Sequence, residues 1–364
     1  MTRFRRNARA PAEPVTPRSL GYAMPAEWAP HRATWLAWPH NRETWPEALE
    51  RVRDAWLAMI RALIPGEEVC LLVNDEPMRR DVEARLVHAG LPLDRIPLLV
   101  VPTVDVWTRD YGPTFVTRGE PLDPVALNDW IFNGWGNKYQ GYDRDDGVAR
   151  ALAALLGLPV FEHDVVLEGG SIDVNGAGIC LTTEQCLLNQ NRNPALDRAT
   201  IETFLGEALG VERVVWLGRG IAGDDTDGHI DDIARFVNPT TIACVVTEDP
   251  RDENYKALQE NYERLQSARD AAGGRFSVVK LPSPEPVVHA GAALPASYAN
   301  FYIANHAVLV PTFDDAADRE ALGILRELFP GRAVIGISCR AVVAGLGGIH
   351  CVTQQEPSAG PSRD

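Results

Sequence analysis

The sequence lacks any apolar run of the roughly 18 to 20 residues that a membrane-spanning helix needs. It also has little positive charge, since 35 lysines and arginines stand against 50 acidic residues and give a formal net charge of −15. Such a chain repels the phosphate backbone of a nucleic acid and attracts a small cation. We therefore expect no membrane and no nucleic acid partner, and we favour a cationic small-molecule ligand.

Cysteine is scarce and shows no CxxC spacing, which gives no indication of a zinc site or of a disulfide framework. Several cysteines lie in apolar runs such as residues 69–73. This usage is typical of a reduced, cytoplasmic protein. The six cysteines are at positions 70, 180, 186, 244, 339 and 351.

The two ends of the chain differ from the middle in composition. Arg5 and Arg6 suggest a twin-arginine export signal, but a proline-rich stretch follows them instead of an apolar segment. We predict a disordered extension over residues 1–20 and a disordered tail over residues 358–364. Residues 21–357 are then expected to form one domain, and 45% hydrophobic residues can supply its core.

The middle of the chain repeats one pattern of helix, strand, polar loop and strand pair five times. Such units cannot close a core singly, so we predict an α/β fold in which five modules pack with pseudo-fivefold symmetry around a central cleft, an α/β propeller. A doubly wound α/β sheet is the alternative, because its strand-end loops also converge. The helices are predicted from apolar spacing at about residues 46–64, 78–88, 147–156, 199–209, 251–271 and 315–328.

The polar loops carry the candidate site residues, roughly 50 to 70 positions apart. The last of them is Cys351, which follows a turn with glycines at 345, 347 and 348. Glycine allows positive φ and close approach of the backbone, so this turn is predicted to present the thiol in a cleft. The alternative is a small buried cysteine without a catalytic role.

A thiolate that attacks an sp² carbon needs a proton donor for the leaving group, and His229 lies in an acidic loop suited to that role. If His229 begins a strand, Asp231 points to the same side. A solvated loop histidine is the alternative. The same loop resembles a calcium loop, but Gly223 and Ala234 would occupy the first and last ligand positions, which makes a calcium site improbable.

Three carboxylates, Asp110, Glu168 and Asp231, indicate what the ligand is. A planar guanidinium has N–H donors in fixed directions that carboxylates match in a bidentate fork. Trp107 precedes Asp110 by three residues and could cover the cation or its aliphatic chain. The alternatives are a surface ion pair of Arg109 with Asp110, a simple turn at Glu168 and a core position for Trp107.

Nine stretches of the sequence, taken together, resemble the agmatine deiminase family, which is related to the bacterial peptidylarginine deiminases. The resemblance covers about residues 21–357. The stretches are Met24-Pro-Ala-Glu-Trp28, Trp107-Thr-Arg-Asp-Tyr-Gly-Pro113, Asn128-Asp-Trp-Ile-Phe-Asn-Gly-Trp-Gly136, Leu167-Glu-Gly-Gly-Ser171, Leu181-Thr-Thr-Glu-Gln-Cys-Leu-Leu188, Asn191-Arg-Asn-Pro194, Asp227-Gly-His-Ile-Asp231, Ser297-Tyr-Ala-Asn-Phe-Tyr-Ile303 and Gly347-Gly-Ile-His-Cys-Val-Thr-Gln-Gln355.

The resemblance implies the five-module propeller (pentein) fold of the guanidine-modifying enzymes and a set of residue roles. Cys351 would be the nucleophile and His229 the general acid and base. Asp110 and Asp231 would hold the guanidinium, and Glu168 would orient or assist His229. No metal and no organic cofactor is implied, and the oligomeric state is left open, with a homodimer as the assembly considered.

Asn300 matches a polar site position of the bacterial peptidylarginine deiminases, and two stretches depart from the family pattern. Leu346 and Gly348 stand where the family commonly has a glycine and an asparagine. The usual Asp-Glu-Thr-Asn-Gly-His-Val-Asp is replaced by residues 224–231 with Asp at 225 and 227. Neither change removes a catalytic atom, but both bear on substrate preference.

The expected reaction is deimination of agmatine to N-carbamoylputrescine and ammonia through a covalent thiouronium adduct on Cys351. Free arginine, a methylated arginine or a peptidyl arginine are alternative substrates. From another class, the chain could be a non-catalytic binding protein for a cationic amine. A papain-like protease is disfavoured, because its cysteine precedes its histidine in the chain and here His229 comes first.

Overall fold

The computed structural model describes residues 15–119 and 124–358. The described residues contain the helices α1 (Leu49–Leu63), α2 (Glu76–His88), α3 (Thr108–Tyr111), α4 (Gly134–Asn137), α5 (Asp143–Asp146), α6 (Val148–Leu156), α7 (Glu184–Leu187), α8 (Arg198–Leu209), α9 (Tyr255–Ser267) and α10 (Ala317–Leu328).

The strands of the described residues are short, as expected for small separate sheets. They are β1 (His31–Ala37), β2 (Glu68–Val73), β3 (Leu98–Val100), β4 (Thr114–Thr117), β5 (Val125–Ile131), β6 (Val160–Val166), β7 (Asp173–Val174), β8 (Ile179–Thr183), β9 (Arg213–Leu217), β10 (Ala234–Asn238), β11 (Thr241–Val246), β12 (Ser277–Pro282), β13 (Val288–His289), β14 (Ala292–Ala293), β15 (Tyr302–Ile303), β16 (Ala307–Thr312), β17 (Ala333–Ser338) and β18 (Gln354–Pro357).

Five sheets repeat one topology, and the predicted five-module α/β fold is confirmed. Their strand orders are β18-β1-β2-β3, β4-β5-β6, β7-β8-β9, β10-β11-β12 and β15-β16-β17, with β13-β14 as a separate hairpin. In each sheet an antiparallel pair is followed by a parallel strand that returns after a helix. The alternative of one doubly wound sheet is therefore wrong.

The first sheet joins the two ends of the described chain. Strand β18 pairs with β1 in antiparallel orientation, with Thr34 opposite Gln355 and Trp35 opposite Gln354. The last strand of the described residues therefore completes the module that their first strand begins. Because Cys351 lies three residues before β18, this pairing also fixes the position of the glycine-rich turn against the first module.

The helices form where apolar spacing predicts them, with small shifts of their ends. In α1, the apolar residues at three- and four-residue steps are all buried: Leu49, Val52, Trp56, Met59, Ile60 and Leu63. Helix α9 is shorter than the predicted 251–271, because the side chains of Asp249 and Asp252 bond the backbone N–H groups of Arg251 and Asn254 and hold a non-helical turn there. The short α3, α4, α5 and α7 have too few residues to show a period.

The ends of the chain lie partly outside the described residues. Residues 1–14 of the predicted extension and 359–364 of the predicted tail are not among them. Within the described part, Arg18–Leu20 form a 3-10 turn, and the Thr16 hydroxyl donates a 2.6 Å hydrogen bond to Oε2 of Glu207 in α8. Among the described helices, none combines the length and the apolar character that crossing a bilayer requires.

Four buried tryptophans, one of them in α1, belong to the same hydrophobic core and extend toward the glycine-rich turn. They are Trp35, Trp38, Trp45 and Trp56. The ring of Trp45 packs 6.4 Å from that of Trp56 and 5.7 Å from that of Trp107, centroid to centroid. Its Nε1 donates to the carbonyl of Val342 at 3.2 Å. A rigid aromatic wall therefore supports Trp107 and the turn that precedes Cys351.

Candidate active site

The five candidate loops each connect the last strand of one sheet to the first strand of the next. Three of the candidate site residues, Trp107, Asp110 and Cys351, line a cavity of about 400 Å³. His229 is buried next to Asp110, and Glu168 is buried next to His229, as the distances below show. The structure thus brings together residues that are far apart in the sequence, as the converging loops predict.

The candidate nucleophile Cys351 lies in a 3-10 turn, His350–Val352, and its side chain is buried. Its Sγ accepts a hydrogen bond from Nδ2 of Asn300 at 3.2 Å and lies 3.7 Å from Oδ2 of Asp231. Burial and the charges of Asp231, Asp232 and nearby acids raise the pKa of the thiol well above its ordinary value. The raised pKa favours the thiol form of Cys351 when no cation is bound.

The glycines before Cys351 are needed for space and not for positive φ. None of Gly345, Gly347 and Gly348 has a positive φ, so that part of the sequence interpretation is wrong. A Cβ on Gly347 would lie 2.3 Å from the Trp107 ring, and one on Gly348 would lie 2.4 Å from Oδ1 of Asn300. The residue with positive φ is Leu346, at +71°, and it lines the cavity.

His229 begins a 3-10 turn, Ile230–Asp232, instead of the expected strand, because the chain turns before β10. Its Nδ1 lies 3.7 Å from Oδ1 of Asp110, and its Nε2 lies 4.0 Å from Oε2 of Glu168. The ring is 1% exposed, so it is not a solvated loop histidine. Burial, which outweighs the opposing charge of Asp231, lowers the pKa of His229 to about 3, so the ring is neutral.

Asp110 is held from two sides inside the site. Trp135 donates Nε1–H to its Oδ2 at 2.9 Å, and the backbone N–H of Gly170 donates to its Oδ1 at 3.1 Å. Burial and the charges of Asp231 and Glu168 raise its pKa well above the ordinary value. The alternative of a surface ion pair between Arg109 and Asp110 is wrong, because both side chains are buried.

Asp231 remains an anion in the same surroundings. Burial tends to raise its pKa, but the hydrogen bond and charge of His350 outweigh burial and lower it. Its Oδ2 lies 2.7 Å from Nδ1 of His350, while its Oδ1 makes no hydrogen bond to the described protein atoms. One carboxylate oxygen next to Cys351 is therefore available to a cationic ligand.

Two neighbouring acids of the loop, Asp224 and Asp227, bond to groups of the protein, which argues against the calcium resemblance. Asp224 accepts from the backbone N–H groups of Thr226 at 2.8 Å and Gly228 at 2.7 Å. Asp227 pairs with Arg192 at 2.7 Å and with Lys138 at 2.9 Å. Their carboxylates are thus used within the protein, and Asp231 is the acid of this loop that points toward Cys351.

Glu168 is fully buried and is held by Arg192, a residue to which the sequence interpretation gave no role. Arg192 donates Nε–H to Oε1 of Glu168 at 2.7 Å, while Oε2 of Glu168 makes no hydrogen bond to the described protein atoms. Burial raises the pKa of Glu168, against the opposing charge of Arg192. Oε2 of Glu168 is thus directed at His229, whereas Oε1 is fixed.

A buried network of charged side chains, which the sequence did not reveal, contacts His350 on the side away from Asp231. Glu27 Oε2 lies 2.7 Å from Nε2 of His350, 2.8 Å from Nη2 of Arg235 and 3.4 Å from Nη2 of Arg109. Arg235 also pairs with Asp173 at 3.2 Å. Glu27 belongs to the stretch Met24-Pro-Ala-Glu-Trp28, but nothing local to that stretch indicates its partners.

The donors of the site also include a metal-compatible group. Oxygen, sulfur and nitrogen atoms of Glu168, Cys186 and His229 lie within 4.8 Å of one another, and all three residues are buried. Cys186 belongs to α7, and the sequence analysis gave it no role in the site.

Known proteins resemble the chain over nearly its whole length. A family model described as Porphyromonas-type peptidyl-arginine deiminase matches residues 23–357. An agmatine deiminase of Ectopseudomonas mendocina is 39% identical over 368 residues, which cover 94% of this chain and 98% of that protein.

Solved structures agree with this relationship. The agmatine deiminase of Enterococcus faecalis superposes with a TM-score of 0.88 at 34% identity and covers 96% of this chain and 99% of its own. An agmatine deiminase of C. jejuni, a cysteine-to-serine variant with substrate bound, superposes with a TM-score of 0.83 at 31% identity and covers 93% and 96%. The chain therefore belongs to the family of the Porphyromonas-type peptidyl-arginine deiminases and agmatine deiminases.

Proposed function

We propose that this protein is an agmatine deiminase, a hydrolase that converts agmatine and water to N-carbamoylputrescine and ammonia. The observation that carries the proposal is the position of the Cys351 thiol 3.7 Å from the Asp231 carboxylate, next to Asp110 in the same cavity. A guanidinium between two carboxylates would present its central carbon to the sulfur. The relatives named above support the choice of agmatine.

The first step is binding of the guanidinium by Asp110 and Asp231. In the free protein the pKa of the Cys351 thiol and that of the Asp110 carboxyl are both raised, mainly by burial and by neighbouring acids. A bound cation reverses this effect, because a positive charge favours the ionised forms of both groups. Substrate binding is thus proposed to generate the thiolate that attacks it.

The covalent step forms a bond between Sγ of Cys351 and the guanidinium carbon. As the sulfur attacks, the proton of the Cys351 thiol passes to the neutral ring of His229, which then delivers it to one nitrogen of the tetrahedral adduct, and ammonia leaves. A thiouronium remains on Cys351. His229 then takes a proton from water, the oxygen adds to the same carbon, and the C–S bond breaks to release N-carbamoylputrescine. Oε2 of Glu168, 4.0 Å from Nε2 of His229, is placed to orient the ring and to stabilise its charged form.

The cavity wall favours an amine over an amino acid. Among the described residues that line the cavity, none is lysine, arginine or histidine, whereas Glu43, Asp105, Asp110 and Asp225 are acidic. An α-carboxylate would find no cationic partner there, while the distal ammonium of agmatine would meet a negative field. Trp107 and Trp135 provide the aromatic walls for the chain between the two charges.

The test is ammonia release from agmatine, arginine and a short arginine peptide, with the wild-type protein and with Cys351→Ala. Release from agmatine, lost in the variant, is expected. Release from arginine or the peptide alone would support deimination by this protein but would show that agmatine is not its substrate. No release from any of them would favour a binding protein for cationic amines.

Residues 21–357 are proposed to act as one catalytic domain, because the site uses residues from all five modules and β18 pairs with β1. A reducing compartment such as the cytoplasm suits this domain, since all six cysteines are free and buried.

A further inference from the structure

Cys186 is a buried thiol that the proposed reaction does not use, although it is close to the residues that carry the reaction. It lies in the single turn of α7 and is fully buried. Its sulfur, a carboxylate oxygen of Glu168 and a ring nitrogen of His229 all lie within 4.8 Å of one another. The three residues come from three different segments, so their separations in the sequence, 168, 186 and 229, show no metal-binding spacing.

Two of these three residues have donor atoms without a partner. Oε2 of Glu168 and both ring nitrogens of His229 make no hydrogen bond to the described protein atoms, although both side chains are buried. Nε2 of His229 and Oε2 of Glu168 are 4.0 Å apart. Buried polar atoms are nearly always satisfied, so atoms of this kind point to a ligand that the protein can accept.

A thiolate, an imidazole and a carboxylate are together the ligands of zinc and not of calcium or magnesium, which take oxygen ligands. We propose that Cys186, His229 and Glu168 form a Zn²⁺ site whose occupation reversibly inhibits the enzyme. Ligand bonds of about 2.0 to 2.3 Å place tetrahedral donors roughly 3 to 4 Å apart, so the three side chains need to move by only about 1 Å. Water completes the coordination.

The binding step is balanced in protons and charge. Zn²⁺ displaces one proton from the Cys186 thiol, which leaves to solvent, and it binds the lone pair of the neutral His229 ring. Oδ1 of Asp110 lies 3.7 Å from Nδ1 of His229, and a bound dication favours the ionised form of this carboxyl, which then attracts the ion. The positive charge of Arg192 opposes zinc binding, because its guanidinium already pairs with the other oxygen of Glu168 at 2.7 Å. We therefore expect reversible binding and not a permanent structural ion.

Inhibition follows from the position of His229. A ring nitrogen that binds zinc cannot carry a proton, so His229 can no longer reach the doubly protonated form that the proposed proton transfers need. In addition, a dication at this place repels the guanidinium that Asp110 is proposed to hold. This part of the inference depends on the proposed function, whereas metal binding itself does not.

Metal binding is tested with Co²⁺, which replaces zinc and absorbs light when a thiolate is bound to it. The Cys351→Ala protein is used so that this thiol of the cavity is absent. A sulfur-to-cobalt absorption band is expected, and it should be lost in Cys351→Ala/Cys186→Ser but kept in Cys351→Ala/Cys180→Ser. Cys180 is equally buried and is the matched control. If Cys186→Ser lowers the melting temperature severely, Cys186→Ala takes its place. A band that survives both changes of Cys186, or no band at all, would overturn the proposal.

Inhibition is tested separately with ZnCl₂ on ammonia release from agmatine. Wild type should be inhibited, and a chelator should restore its activity. Cys186→Ser should keep its basal activity and need at least about tenfold more zinc, whereas Cys180→Ser should behave as wild type. Equal zinc sensitivity of Cys186→Ser and wild type would contradict the proposal, because zinc would then act elsewhere, such as at Cys351. If no guanidine is hydrolysed at all, the proposed function fails, and the cobalt experiment still decides the metal site.

Discussion

Nδ1 of His350 lies 2.7 Å from Oδ2 of Asp231, so the residue directly before the candidate nucleophile holds the carboxylate that faces it. The other ring nitrogen lies 2.7 Å from Oε2 of Glu27. Carboxylates accept hydrogen bonds, so this arrangement requires both ring nitrogens to donate. Glu27, His350 and Asp231 therefore form a line that ends at the sulfur of Cys351.

Replacing His350 by asparagine should damage substrate binding more than folding. The pKa of Asp231 is lowered although burial raises it, because His350 donates to the carboxylate and adds positive charge. Without His350 that pKa should rise, and activity should fall at a higher pH on the acidic side of the profile than in wild type. We expect kcat/KM for agmatine to fall roughly 30- to 1000-fold, which corresponds to a loss of about 2 to 4 kcal/mol of transition-state stabilisation.

The control for this change is His163→Asn, which removes a histidine that stacks on Trp130, away from the cavity. Its pH profile should match that of wild type. An unchanged acidic side of the profile in His350→Asn would contradict the role assigned to this hydrogen bond, whatever the loss of overall activity.

Cys351→Ala should abolish turnover, with a loss of at least about 10³-fold, while the melting temperature stays close to that of wild type. Mass spectrometry of wild type quenched during turnover should detect a substrate-derived adduct on the peptide that contains Cys351. Detection of the adduct on another cysteine would assign the nucleophile differently.

Asp110→Asn should lower activity and raise stability. The pKa of Asp110 is raised by burial and by Asp231 and Glu168, so the folded protein binds its proton more tightly than the unfolded chain does. Wild type therefore loses stability as pH rises above the ordinary pKa of a carboxyl, and the asparagine variant does not. The variant should still accept the hydrogen bond of Trp135 through its amide oxygen.

Melting curves from pH 4 to pH 8 check this prediction. The melting temperature of Asp110→Asn should exceed that of wild type by a margin that grows with pH. Its kcat/KM for agmatine should fall, with a loss of several kcal/mol of transition-state stabilisation, because the guanidinium loses one anionic partner. A variant that is less stable than wild type at pH 8 would show that the negative charge of Asp110 stabilises the free protein, contrary to this expectation.

The thiol of Cys351 should react slowly with neutral alkylating agents at neutral pH. Burial and the charges of Asp231 and Asp232 raise its pKa, so little thiolate is present. A haloacetamidine of similar size carries its own positive charge and should react much faster, since it supplies the cation that substrate would. The measurement is the ratio of the two rates, with glutathione as the reference thiol. A ratio equal to that of glutathione would contradict the substrate-assisted ionisation proposed above.

The sequence could predict the five modules because each depends on local signals. The apolar spacing of α1 is an example, because the apolar residues at that spacing are all buried. The candidate residues could be proposed because polar loops of equivalent position carry them. Their convergence follows from the repeat and not from any single motif.

The supporting contacts could not be predicted in the same way. Glu27 meets Arg235 across 208 positions, and two buried charges have no period that would reveal their pairing. The pairing of Arg192 could not be predicted either, because its partner Glu168 lies in another loop. The positive φ of Leu346 was missed because neighbouring glycines are the usual residues for that conformation.

The pairing of β18 with β1 also orders events during synthesis of the protein. The ribosome makes β1 well before the strand that covers its edge and the thiol three residues before that strand, because the other four modules lie between them in the sequence. The nascent chain can therefore form its four inner modules while it has no nucleophile. The site becomes complete only when both ends of this sheet meet, so an unfinished chain has no means to act on a guanidine.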